Sequence, residues 1–329
     1  MLKRCTAALA ASLIALAVPG AHAQTVQPWP TRPVTMIVPF AAGGPTDVVG
    51  RILAQRLSEI LGQQVIIENL GGAGGMAGAQ KIAQSRPDGY QVLLGTVGTQ
   101  AYSQTLYKTP LYNSLTDFTP VALVAEQPLV LVVRKDLPAK NLKELIDWLK
   151  ANQSKASFGT AGVGSGAHFS GVYLQNMIGT NASYVPYRGT GPALQDLVAG
   201  QIDIIVDQAS NSLPQVQAGS IRAYAVTDSK RLAALPDVPT VDEAGLPGFH
   251  VSLWSGLWVP KGTPKAIIAK LNTAAVDSMN DPEVRKKFEN LGLEMPAKDK
   301  LSPQALGDFQ KAEIKKWWPL IKAANVKAD

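Results

Sequence analysis

The sequence predicts an α/β protein of two similar lobes, and three observations carry that expectation. The first is Val34–Leu61, where an apolar strand from Val34 to Val38 runs through Phe40-Ala41-Ala42-Gly43-Gly44-Pro45 into an amphipathic helix starting at about Thr46. The second is a recurrence of that device at Ala156–Ile178. The third is that successive strand ends carry glycine and hydroxyl residues. In an open α/β sheet, ligands bind beyond the carboxyl ends of the strands, so the repetition points to one crevice.

In the opening device, Val48, Val49, Ile52, Leu53, Leu57, Ile60 and Leu61 recur at helical spacing, and Gly62 stands where the helix should stop. A glycine loop before a helix offers free backbone N–H groups and the positive end of the helix dipole to an anion. Gly43 and Gly44 let that backbone approach a ligand closely. Val65-Ile66-Ile67 reads as a short strand, and the glycine run Gly71–Gly78 opens a helix reaching about Ser85. After the turn Arg86-Pro87-Asp88-Gly89, a strand from Tyr90 to Leu94 ends at Gly95-Thr96-Val97-Gly98-Thr99 before another helix.

Val121 to Val133 is a double apolar run interrupted at Gln127-Pro128. It reads as two extended segments that cross from a first lobe into a second. Asn141 should cap a helix through Lys150, with Glu144 in the capping-box position. The second lobe holds the strand Ala156–Phe158, the loop Gly159–His168 and a helix to about Ile178. Next come the strand Ser183–Val185, the loop Pro186–Gly191 and a helix to Ala199 that stops at Gly200. The strand Ile202–Val206 ends at Asp207-Gln208-Ala209-Ser210, and Ile221–Val226 continues the alternation. Apolar Trp254–Val259 precedes three helices, about Lys265–Asn280, Pro282–Leu291 and Ser302–Ala323, expected to return to the first lobe. The expected division is residues 24–124 plus 252–329 for lobe 1 and 125–251 for lobe 2.

Residues 1–23 read as a secretory signal peptide. Lys3 and Arg4 precede an apolar, alanine-rich stretch from Thr6 to Val18, and Ala21-His22-Ala23 is a small-x-small cleavage site. The mature chain is therefore expected to be exported and periplasmic. The only cysteine, Cys5, leaves with the signal, which excludes disulfides, thiolate metal sites and a cysteine nucleophile. The full chain carries 31 basic and 25 acidic residues. Losing Lys3 and Arg4 leaves 29 against 25, a formal charge of +4. That balance suits a small anion, and its scattered basic residues disfavour nucleic acid.

Catalytic chemistry finds few residues to work with. His168 and His250 are the only histidines after the signal, too few for a structural zinc site. Ser165 and His168 suggest a nucleophile and base, but the G-x-S-x-G elbow is absent. Gly162-Val163-Gly164-Ser165-Gly166-Ala167 matches a relaxed dinucleotide fingerprint, yet no acidic residue stands about 20 positions on. No cofactor is expected.

What remains is a donor-rich set: Gly43, Gly44, Gly95, Thr96, Thr99, Thr160, Ser165, Gly166, His168, Arg188 and Gly189. Backbone N–H, hydroxyl and guanidinium donors together suit a carboxylate. Arg188 is either a bidentate carboxylate partner or a surface arginine held by an acid. Asp47 should cap its own helix, and His168 should hydrogen-bond at a helix start. Asp207 either orients a loop or accepts a ligand hydroxyl or ammonium. Phe40 and Tyr102 are candidates for an apolar wall.

Several longer motifs carry a family resemblance through essentially the whole mature chain. They are Trp29-Pro30-Thr31-Arg32-Pro33, Val38–Asp47, Gly72-Ala73-Gly74-Gly75, Pro87-Asp88-Gly89-Tyr90, Val185-Pro186-Tyr187-Arg188-Gly189 and Arg231–Thr240. On these the chain resembles the tripartite tricarboxylate transporter substrate-binding proteins, the TctC-like or Bug family of extracytoplasmic solute receptors. The resemblance implies a two-lobed periplasmic-binding-protein type II fold, a Venus flytrap in which each lobe is a Rossmann-like sheet flanked by helices. It implies a monomeric receptor that captures an organic carboxylate and delivers it transiently to a permease of one large and one small membrane subunit. The implied grip falls on Phe40, Ala41, Gly43, Gly44 and Asp47 in the first loop, and on the segments Gly95–Thr99, Thr160–His168 and Arg188-Gly189.

The chain departs from the family pattern near the crevice. It reads Val206-Asp207-Gln208 where many relatives have Phe-Asp-Asn, His168-Phe169-Ser170-Gly171-Val172 for His-Leu-Ala-Gly-Glu, and Tyr102-Ser103-Gln104 for Asn-Pro. Phe169 and Tyr102 would favour a ligand with an apolar or aromatic body. Two rival roles are a binding protein feeding a sensor kinase and a secreted hydrolase using Ser165.

Overall fold

The computed structural model describes residues 29–323. The expected signal peptide lies outside the described residues. The chain opens with β1 (Val34–Val38), α1 (Pro45–Leu61), β2 (Val65–Asn69), α2 (Met76–Ala83) and β3 (Gln91–Thr96). Strand β1 runs parallel to β2 on one side and β3 on the other. Helix α1 ends as its sequence demands: Gly62 takes φ 68°, a left-handed geometry that favours glycine, and its N–H donates to the Ser58 carbonyl. Strand β3 runs two residues past the expected Leu94 and enters a π-helical turn, Gly98–Tyr102.

The long strand β4 (Phe118–Arg134) departs from expectation. Gln127-Pro128 was expected to break it, yet all 17 residues are one strand. What changes there is the partner. Phe118–Pro128 pairs antiparallel with β9 (Ser252–Pro260), and Leu129–Arg134 pairs with β7 (Ile204–Gln208) and β8 (Ile221–Val226). Pro128 lacks an N–H and sits where the strand leaves one sheet region for the other, so little is lost.

The second region repeats the first. After α3 (Leu142–Ala151) come β5 (Ser157–Thr160), α4 (Gly166–Ile178), β6 (Ser183–Pro186) and α5 (Thr190–Val198). Strand β5 is parallel to β6 and β7, and α6 (Ala209–Gln217) follows β7 directly. The Asn141 cap forms as read. Its Oδ1 accepts the Glu144 N–H at 2.9 Å, while the Glu144 carboxylate accepts from the Lys140 N–H and the Asn141 amide. The sheet order β2-β1-β3-β9-β4-β7-β5-β6, with β8 on β4, gives two lobes sharing β4.

Helices α7 (Lys265–Asn280) and α8 (Pro282–Asn290) cover one face of the first lobe, burying Val49, Leu53, Leu271, Ala275 and Phe288 together. Helix α9 (Pro303–Ala323) returns to the first lobe and also reaches the second. Its Trp317 packs edge-on against Tyr102 of the π-turn at 5.9 Å and Phe169 of α4 at 5.2 Å. An aromatic cluster therefore joins the lobes behind the crevice.

Candidate functional site

The crevice lies where the N-termini of α1, α4, α5 and α6 converge between the lobes. It is a cleft lined by Phe40, Gly44, Pro45, Thr46, Thr96, Val97, Ala161, Ser165, Gly166, Ala167, Thr190, Val206, Asp207, Gln208 and Leu253. No lysine or arginine is among them. The first N–H groups of a helix have no intrahelical carbonyl to bond, so Thr46, Gly166, Ala167 and Thr190 present free donors at the cleft. Aligned peptide dipoles add partial positive charge at each end. The cleft thus offers an anion directional donors without a formal cation.

Of the candidate residues, Phe40, Gly44, Thr96, Ser165, Gly166 and Asp207 line the cleft. Phe40 lies against the glycine run, where a Cβ on Gly75 would meet its ring at 3.0 Å. Ser165 is the N-cap of α4, and its Oγ accepts the backbone N–H of His168 at 3.2 Å. The hydroxyl therefore works as a cap, and the His168 ring turns elsewhere. Its Nδ1 faces the Gly164 N–H at 3.4 Å and its edge packs on Tyr184. Burial lowers the His168 pKa to about 4, leaving the ring neutral at pH 7.

A second set supports the cleft from behind. Asp47 is buried with both oxygens occupied: Oδ2 accepts from the Gly43 N–H at 2.8 Å and from Arg51 at 2.9 Å, and Oδ1 from Asn69 at 2.9 Å. Burial raises its pKa, but Arg51, the Gly43 N–H and Asn69 outweigh that and hold it below the ordinary carboxylate value. Asp47 thus braces the first glycine loop, although the N-cap itself is Gly44. Thr99 Oγ1 accepts the Thr96 N–H at 3.0 Å and donates back to the Thr96 carbonyl at 3.1 Å. Thr160 Oγ1 accepts the Gly162 N–H at 3.2 Å.

Four candidates form the seam between the lobes. The Ala41 N–H donates to the Arg188 carbonyl at 2.9 Å. Gly189 caps α5 close to Ala41, and Gly43 borders Gly191. Arg188 is exposed and lines an outer groove with Ala41, Gly72–Gly74 and Tyr187. Its carbonyl, not its guanidinium, is bonded across the seam.

Two candidates lie in the core. Gly95 sits under Trp258, whose ring would meet an added Cβ at 2.9 Å, so it is glycine for packing. Tyr102 is fully buried between Phe169 and Trp317 and forms no wall of the cleft. Phe169 is 1 % exposed in the same cluster, so neither residue favours an aromatic ligand. Thr190, Val206, Gln208 and Leu253 line the cleft without having been singled out as ligand residues. Thr190 directly follows the loop glycine Gly189, a usable signal. Leu253 sits in an apolar crossing strand and gave none.

Asp207 is the unusual side chain here. It is 0 % exposed at the end of β7, and its Oδ2 accepts from the Asn211 amide at 2.7 Å. Burial pushes its pKa up to about 7 and outweighs Asn211, the Gln208 N–H and Thr190, which pull the other way. The latter two are near without a well-formed hydrogen bond, and Oδ1 has no partner. Among the described residues no cluster of metal-ligating side chains occurs.

Comparison with known proteins agrees with this architecture. The periplasmic binding protein BugD superposes with a TM-score of 0.88 at 42% identity, covering 91% of this chain and 99% of that one. MatC from Rhodopseudomonas palustris with bound malate gives 0.87 at 40% identity over 89% and 100%. Rpa4515 from R. palustris with adipate gives 0.86 at 37% identity over 90% and 98%. The family model described as the tripartite tricarboxylate transporter family receptor matches residues 49–326. The chain belongs to the tripartite tricarboxylate transporter receptor family, with the two-lobed α/β fold of periplasmic solute-binding proteins.

Proposed function

We propose that this protein is an exported, cofactor-free receptor that closes its lobes on an organic carboxylate and hands it to a two-subunit membrane permease. The observation that carries the reading is the cleft itself, where helix N-termini from both lobes point free N–H groups into a mostly apolar space without a lysine or arginine. A carboxylate bridging the two sets of donors stabilises the closed form, because only there does it contact both. The related structures with malate and adipate favour an aliphatic dicarboxylate. The reading assigns residues 24–124 and 252–329 to one lobe and 125–251 to the other. It has residues 1–23 removed on export and the mature chain acting as a monomer.

Binding rather than catalysis is supported by the Ser165 cap, which leaves its hydroxyl without a base. The test is calorimetry and thermal unfolding of mature protein refolded free of ligand, against aliphatic and aromatic carboxylates. A ligand at a hundred times its dissociation constant adds about 2.7 kcal/mol of stability, a clear rise in Tm. Failure of every carboxylate to bind the refolded protein would overturn the reading.

A further inference from the structure

Three hydrogen-bonding oxygens in the cleft have no partner. They are Asp207 Oδ1, Gln208 Oε1 and Thr96 Oγ1, on residues 0 %, 8 % and 5 % exposed. Buried polar atoms are nearly always hydrogen-bonded, and leaving one unsatisfied is costly. The Thr96 hydroxyl can donate or accept, whereas the Gln208 carbonyl oxygen and an ionised Asp207 only accept.

A simple carboxylate can accept from the Thr96 hydroxyl, but once ionised it has no proton to give to the Gln208 oxygen or to an ionised Asp207. The carboxylate is served by the helix N-termini of Thr46, Gly166, Ala167 and Thr190. The cleft therefore presents donors and acceptors together, and a matching ligand must carry both. Asp207 is well held for such a role. Strand β7 pairs it with Val130 of β4, and Asn211 one turn into α6 fixes its other oxygen.

We infer that the ligand is an organic acid bearing a hydroxyl or ammonium donor beside its carboxylate, and that Asp207 is the residue that selects for that donor. This rests on the carboxylate reading of the same cleft and narrows it. A site built to bond a ligand OH or NH rejects the analogue lacking it, because its polar atoms are then left unpaired.

Calorimetry on refolded protein tests this with two series. Succinate, malate and aspartate share one skeleton and differ only in hydrogen, hydroxyl or ammonium at the second carbon. Glutarate, 2-hydroxyglutarate and glutamate are one carbon longer. In at least one series the donor-bearing acid should bind at least tenfold more tightly than the donor-free acid. Asp207→Asn should cut that ratio below threefold, and Thr96→Val should reduce it in part, with thermal melts verifying that each variant is folded. If Asp207→Asn does not fold, the wild-type ratio and Thr96→Val decide. Equal binding of donor-free and donor-bearing acids would overturn the inference and leave the carboxylate reading standing. A ratio unchanged in folded Asp207→Asn would remove Asp207 from the role. Silence from both series and from every other carboxylate would overturn both readings.

Discussion

A methyl group placed on Gly71 would stand 2.8 Å from the carbonyl oxygen of Arg188, across the seam between the lobes. Gly71 follows β2 of the first lobe, and Arg188 follows β6 of the second. The same seam brings Gly74 to Val163 and Gly44 to Gly191, so the lobes meet there backbone to backbone. Gly71 is not in the left-handed region, so alanine fits its own lobe without strain. The contact under 3 Å is with the other lobe alone, so under the proposed closure it arises only when the lobes come together.

Gly71→Ala should therefore weaken ligand binding while leaving the ligand-free protein equally stable. Overpacking of a tight contact costs about 1–3 kcal/mol, or roughly 5- to 150-fold in Kd. Calorimetry gives the affinity, and small-angle scattering at saturating ligand shows whether a larger radius persists. Unchanged affinity would mean that this seam does not form in the bound state.

Tyr102 should be a stability residue and not a specificity residue. Its ring is buried against Phe169 at 4.8 Å and Trp317 at 5.9 Å, and its hydroxyl has no hydrogen-bond partner. Tyr102→Phe removes an unsatisfied polar atom and should leave stability unchanged or raise it by about 1 kcal/mol. Tyr102→Ala opens a cavity and should cost about 3–5 kcal/mol. Urea unfolding of both variants checks this, and a change in ligand preference with Tyr102→Phe would contradict the placement.

Legibility in the sequence followed the range of the forces involved. The Asn141–Glu144 capping box and the Gly62 stop are local hydrogen-bond arrangements, and adjacent residues announce them. The Ser165 cap is equally local but reads in the sequence only as a donor or nucleophile. The strand-end loops were legible for the same reason, which is why Phe40, Gly44, Thr96 and Ser165 line the cleft. Side-chain direction was not legible. Tyr102 lies three residues from Thr99 in the same turn, but the π-helical winding carries it into the core. Gly95 looked like its neighbours in a donor loop, and only the distant Trp258 explains it. Gln127-Pro128 looked like a break because pairing partners lie far away in sequence: Ser252 on one side and Gln208 on the other.

Arg188 gives a prediction opposite to the one its chemistry invites. Its guanidinium lies at the surface, outside the cleft, and only its carbonyl holds Ala41. An exposed charge acts at this range through a field that physiological salt screens within about 8 Å. Arg188→Ala should change carboxylate affinity by less than about threefold at that ionic strength. A loss of tenfold or more in calorimetry would mean that the side chain swings in to meet the ligand.

The pH dependence of stability should expose two buried groups that oppose each other. Asp207 is raised to about 7 by burial, so between about pH 4 and 7 the native state keeps a proton that the unfolded chain has lost. Stability from this group is full below about pH 4 and is lost as pH rises through 7. His168 is lowered to about 4 by burial, so over nearly the same window the unfolded chain holds a proton that the native state lacks. Stability from His168 is present above about pH 6.5 and is lost as pH falls through 4. The two slopes have opposite sign and should nearly cancel in the wild-type protein. Asp207→Asn removes only the first. Ligand-free Asp207→Asn should therefore gain stability relative to wild type as pH rises from 4 to 7, by on the order of 2–4 kcal/mol. Chemical denaturation at half-unit pH intervals gives both curves. A constant offset between them would show that Asp207 titrates in its ordinary range and that its burial is relieved in solution.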